Sequence, residues 1–168
     1  MNVFKVDSAS HFRHLWSLMV LSVILPIVGY YLMLYKLGEF NVEAALIVSF
    51  VVFTTLILPL LILHINYYLY SKNDKFLYDE SREIMVYERK GMVTEFEAKN
   101  IESVVSYKSW PLAENRTPIF PWDVYHYTAI ELKNGSLLKV SSLVVYEFDK
   151  KVKIDGIRIR KTFYPWIG

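Results

Sequence analysis

Residues 15–35 read LWSLMVLSVILPIVGYYLMLY, and residues 44–71 read AALIVSFVVFTTLILPLLILHINYYLYS. Neither stretch contains Asp, Glu, Lys or Arg, and the first also lacks His. At about 1.5 Å rise per residue, each predicts a helix able to cross a hydrocarbon core of about 30 Å. Trp16 opens the first stretch and Tyr30, Tyr31 and Tyr35 close it, as aromatic belts do at two membrane interfaces. Pro26 removes one helical hydrogen bond and predicts a bend, while Gly29 lets a neighbouring helix approach. Pro59 predicts a second kink, and Thr54 and Thr55 are expected to bond back to their own helix.

Residues 36–43, KLGEFNVE, are short and polar enough to force an antiparallel hairpin. The first run exceeds the apolar core of about 7–15 residues in a signal peptide, so a retained anchor is expected. His64 and Asn66, followed by Tyr67, Tyr68 and Tyr70, are expected at the exit interface rather than at mid-depth. Lys5 and Arg13 precede the hairpin and Lys72, Lys75 and Arg82 follow it, whereas the turn holds only Lys36. The positive-inside rule then predicts a multi-pass protein of the inner, cytoplasmic membrane with both termini cytoplasmic. The expected organisation is a polar cytoplasmic lead over 1–14, a two-helix transmembrane hairpin over 15–71, and a cytoplasmic domain over 72–168.

Composition divides at the same boundary. Among the first 71 residues, Lys5, Arg13 and Lys36 balance Asp7, Glu39 and Glu43, so the net charge of +2 belongs to the remainder. That charge is too small to point to nucleic acid as a partner. The absence of cysteine excludes disulfides and thiolate metal sites. The part after residue 71 is long enough for one small domain with its own core.

From Lys75 the apolar pattern changes to short alternating runs broken by turn residues. Strands are expected over 76–78, 83–88, 92–97, 100–108, 125–132 and 136–141. Arg89-Lys90-Gly91 and Asn134-Gly135 mark two hairpin turns. After Ser141 the period lengthens: Val144, Phe148 and Val152 recur every four residues, with Glu147, Asp149, Lys150, Lys151 and Lys153 largely off that stripe. An amphipathic helix capped by Ser142 is expected there, covering an open end of the sheet, with Asp155-Gly156 ending it.

This arrangement resembles the bacterial pleckstrin-homology-like (PH-like) domains carried behind a two-helix membrane hairpin. The resemblance rests on Phe76-Leu77-Tyr78-Asp79, the hairpin through Arg89-Lys90-Gly91, Asn100-Ile101-Glu102-Ser103-Val104, Leu132-Lys133-Asn134-Gly135-Ser136 and the segment after Ser142. It implies an α+β membrane protein whose bent antiparallel sheet closes towards a partial barrel capped by one C-terminal helix. It carries no catalytic residues, and fold alone assigns no function.

Two segments exceed what such a domain needs. Residues 109–123, SWPLAENRTPIFPWD, combine three prolines with Trp110, Arg116, Phe120 and Trp122. These rings either pack as a self-contained flap or contact a partner or ligand. Residues 157–168, IRIRKTFYPWIG, place Arg158, Arg160 and Lys161 before Phe163, Tyr164 and Trp166. Cations beside aromatics suit anionic headgroups, and residues 157–161 equally suit an extra strand. The tail is expected on the membrane-proximal side of the domain.

His11, His14, His64 and His126 are the only imidazoles, and none stands in a metal-ligand spacing. No nucleophile elbow, phosphate-binding glycine loop or HExxH motif occurs. The expected protein is therefore non-enzymatic, without cofactor or metal. It is expected to contact the bilayer and to bind a protein partner or a copy of itself. Anionic-headgroup binding, or a place as a small subunit of a transport or secretion complex, are the alternatives.

Overall fold

The computed structural model describes residues 1–168, the side chain of Leu37 excepted. Its elements run β1 (Asn2–Lys5), α1 (Ser8–Leu37), α2 (Val42–Val52), a π-turn (Phe53–Ile57) and α3 (Leu58–Ser71). There follow β2 (Lys75–Asp79), β3 (Ile84–Arg89), β4 (Met92–Glu97), β5 (Ile101–Lys108), α4 (Trp110–Ala113), β6 (His126–Leu132), β7 (Leu137–Ser141), α5 (Phe148–Lys151) and β8 (Arg158–Lys161).

Asp7 starts α1 by accepting a 2.7 Å bond from the Ser10 amide, and Gly38 ends it in the left-handed region, φ 77°. Asn41 caps α2 in the same way as Asp7 caps α1. The helix then continues through the π-turn to Ser71. The departure from α geometry lies just ahead of Pro59, and Thr54 and Thr55 bond back to Phe50 and Val51 carbonyls. Between the two long helices a cavity of about 490 Å³ is lined by Leu25, Pro26, Gly29, Val48 and Phe53 among others.

Residues 2–5, expected within a polar lead, form a strand that pairs with β2, Phe4 opposite Phe76 and Lys5 opposite Lys75. The helical pair thus leaves the sheet between its first two strands. Val6 and Asp7 on one side, and residues 72–74 on the other, are all that separate strand from helix.

The β elements make two four-stranded sheets, ordered β1-β2-β3-β4 and β7-β6-β5-β8. All six expected strands are present within two residues of their expected bounds. Lys90 and Gly91 both take positive φ, the requirement of a two-residue type I′ turn. Alternation places Phe76, Tyr78, Met85, Tyr87 and Phe96 of the first sheet against Val104, Ile130, Leu132 and Val140 of the second. Three expectations are corrected. The sheets do not close into a barrel, since β4 and β5 join through a 3₁₀ turn at Ala98–Asn100 and belong to separate sheets. The second sheet is mixed, because β8 runs parallel to β5.

The third correction concerns the helix expected after Ser142, which is reduced to the single turn Phe148–Lys151. Val144 and Val145 amides both bond to the Ser141 carbonyl, and Glu147 adopts φ 55°, which stops a helix from passing through it. The apolar residues of this segment also serve two cores. Val144, Val145, Phe148 and Val152 enter the inter-sheet core, whereas Leu143 joins a second cluster with Leu60, Leu63 and Tyr67 of α3. A one-faced helix could not supply both.

Candidate interaction surface

The 109–123 loop is built on two caps. Ser109 Oγ accepts from the Leu112 amide at 3.4 Å and donates to the Asp123 carbonyl at 2.9 Å, closing the loop at its base. Asp123 Oδ2 accepts from the Ile119 and Phe120 amides at 2.9 and 2.8 Å. This turn delivers Trp122 inward, 5% exposed, into the cluster formed by Leu60, Leu63, Tyr67, Tyr125 and Ile167. Phe120 stacks on its outer face, centroids 4.9 Å apart and planes 4° from parallel. Ser17 of α1 donates to the Pro121 carbonyl, so the loop rests on the helical pair.

The tail reaches the same place from the other direction. β8 pairs with β5 through Arg158 opposite Val105 and Arg160 opposite Tyr107, and the Thr162 amide bonds the Lys108 carbonyl at 2.8 Å. Beyond it, Tyr164 donates to the Pro59 carbonyl at 2.6 Å and Tyr67 donates to the Pro165 carbonyl at 2.7 Å. Asn66 then holds Ile167 through both of its backbone groups, at 2.9 and 3.2 Å. Ile167 is fully buried as a result.

Loop and tail, two separate candidates in the sequence, therefore form one surface. Phe163 sets its edge against both Phe120 and Trp122, and Lys161 bonds Glu114 at 2.7 Å while lying 5.1 Å from the Trp110 ring centre. Lys161 and Arg116 hold the Glu114 carboxyl below its ordinary range. A cavity of about 190 Å³ lies between Trp110, Pro111, Ile119, Phe120 and Phe163. Of the residues singled out from sequence, Trp122 and Tyr164 are engaged in holding the surface to the helices. Trp110, Phe120, Phe163 and Trp166 remain exposed, as do Arg116, Arg158 and Arg160. Ile119, 77% exposed at the loop tip, was not singled out, although its position between two prolines of an aromatic loop was the available signal.

Sequence reading also missed how the helices are locked to the domain. His64 Nδ1 lies 2.7 Å from the Tyr125 hydroxyl and His64 Nε2 lies 3.0 Å from His11 Nδ1. His14, wholly buried, bridges the Ser10 carbonyl and Ser142 Oγ, each at 2.8 Å. His126, at the start of β6, accepts the Glu147 amide at Nε2 and lies 3.1 Å from the Val124 carbonyl at Nδ1. His11, His14 and His64 thus line the junction between helices and sheets, and His126 stands just behind it, its amide donating to the same Ser142 Oγ that His14 meets. Among the described residues, no three His, Asp or Glu side chains come together as metal ligands.

Comparison with known families finds a match to a PH domain over residues 3–153. That span begins in β1 and ends past α5, and so includes the helical pair as well as both sheets. Searches of curated proteins and of solved structures returned no match. With nine-tenths of the chain covered, the chain belongs to the PH-domain family.

Proposed function

We propose that this chain is a membrane-anchored PH domain that presents a non-enzymatic protein-docking surface at the cytoplasmic face of a bacterial inner membrane. PH domains are typically interaction modules for lipids or proteins. The carrying observation is the meeting of loop and tail against the helices at Ser17 and Pro59. Beyond those contacts the first helix extends for 20 residues and the second for 17, or about 30 and 26 Å, close to one hydrocarbon thickness. Its outward side chains there are apolar and exposed, including Val23, Ile27, Leu46, Ile47 and Phe50. A soluble core helix would bury such a face, and water would not tolerate it bare. The excess of Lys and Arg on the flanks of the pair supports the cytoplasmic orientation.

The docking surface is then the exposed group Trp110, Arg116, Ile119 and Phe120 with Phe163, held just below the bilayer by short, hydrogen-bonded links. A photo-crosslinking residue at Phe120, placed in the full chain in native membranes, tests the reading. A stoichiometric adduct to one protein, or to a second copy, is expected. Absence of any protein adduct overturns it.

A second reading is favoured by Phe163 and Trp166, both exposed at the height where the tail grips α3. There they would enter the interface, with Tyr164 behind them and Arg158, Arg160 and Lys161 towards anionic headgroups. Adducts confined to phospholipid would select this reading.

A further inference from the structure

We propose that the free edge of β8 receives an extended, acidic segment of the partner protein as an additional strand. This rests on the protein-docking reading above and specifies what that partner presents. β8 ends its sheet, with β5 on one side and, among the described residues, no strand on the other. Because the Thr162 amide points to β5, alternation turns the N–H and C=O of Ile159 and Lys161 outward, without a partner among the described residues. An edge of this kind is a template for another strand.

The side chains select the occupant. Arg158 and Arg160 project to one face of β8, both exposed, and among the described residues neither enters an ion pair. In an added strand, residues at alternate positions share that face, so acids two residues apart meet the two guanidinium groups. Ile159 is 48% exposed on the other face and offers apolar contact. At its C-terminal end the edge runs into α4 through Lys161 and Glu114, beside the 190 Å³ cavity, which suits one apolar anchor side chain. Other sheet edges lack this combination: β4 carries Glu95 and Glu97, β1 has the single cation Lys5, and Lys139 of β7 is engaged with Gly168. A lipid phosphate would pair with the arginines but has no N–H to offer the outward carbonyls, which favours a polypeptide.

The test places benzoylphenylalanine at position 159 in the full chain, in native membranes, beside the Phe120 crosslinker. The expected adduct maps to one segment of the partner with acids at alternate positions. A synthetic peptide of that segment should then slow amide exchange at Ile159 and Lys161 of the full-length protein. The double variant R158E/R160E, on exposed side chains, should lower adduct yield at position 159 by about tenfold or more, through like-charge repulsion. Unchanged yield in that variant, a segment without acids, or adducts to phospholipid alone overturns the inference. If Phe120 captures the partner while position 159 does not, the edge is not used and the docking surface stands. If neither captures protein, both fail.

Discussion

Phe4 lies directly opposite Phe76 across β1 and β2, although the whole helical pair separates them in sequence. Their rings, 6.5 Å apart, join the inter-sheet core at the point from which both helices depart. The pair is therefore clamped at its base by a strand ladder. Phe4 is half-buried, so Phe4→Ala should cost about 1–2 kcal/mol, below the cost of a fully buried phenylalanine. Urea unfolding of the solubilised full chain, followed by limited proteolysis of the β1–α1 link, measures both the loss and where it falls.

Asn66 supplies both hydrogen bonds that Ile167 makes through its backbone to α3. Asn66→Ala leaves a buried N–H and C=O without partners, a local penalty of about 1–3 kcal/mol. Residues 162–168 should then detach while the sheets stay folded. Faster amide exchange at Ile167, with unchanged exchange in β6, is the expected signature; equal acceleration in both would show that the tail is part of the global core.

His126 is buried and neutral, its Nε2 occupied by the Glu147 amide. Burial, reinforced by the nearby Lys108 charge, lowers its pKa to about 4 from an ordinary 6.5, against the opposing pull of the Val124 carbonyl. The unfolded chain therefore takes up the proton first as pH falls. Its contribution to stability is complete above about pH 6.5 and is lost progressively down to about pH 4, by on the order of 3 kcal/mol. Urea midpoints at pH 7 and pH 4.5 should separate in the wild type and draw closer in His126→Gln.

Lys108 Nζ and Asp149 Oδ2 stand 2.7 Å apart, with side chains 5% and 21% exposed. Asp149→Asn removes the countercharge from a buried ammonium and should destabilise the domain by about 3–5 kcal/mol. Replacing both partners, Lys108→Met with Asp149→Leu, removes the charge as well and should cost less than the single change. Thermal unfolding of the three proteins decides the order.

How much of this was legible varies with the range of the interaction. The 76–141 strands show in the alternation of Phe76, Tyr78, Met85 and Tyr87, and the two tight turns show in Lys90-Gly91 and Asn134-Gly135. The segment after Ser142 was misread because Val144, Phe148 and Val152 keep a helical spacing while serving a core that approaches from two sides. In the candidate surface, the aromatic content of loop and tail was visible. That Phe163 closes on Phe120 and Trp122 was not, since no local pattern records it.

By itself, the sequence determined two apolar helices, six short strands and their turns, because each depends on hydrophobic period and backbone preference within a few residues. Only the tertiary structure decided that residues 2–5 complete the first sheet, that β8 lies parallel to β5, and that His11, His14 and His64 share one junction. It also decided that His64 and Asn66, the polar residues late in the second apolar stretch, grip Tyr125 and Ile167. Those outcomes depend on pairing between residues far apart in the chain, where the surfaces left over by local structure find one another.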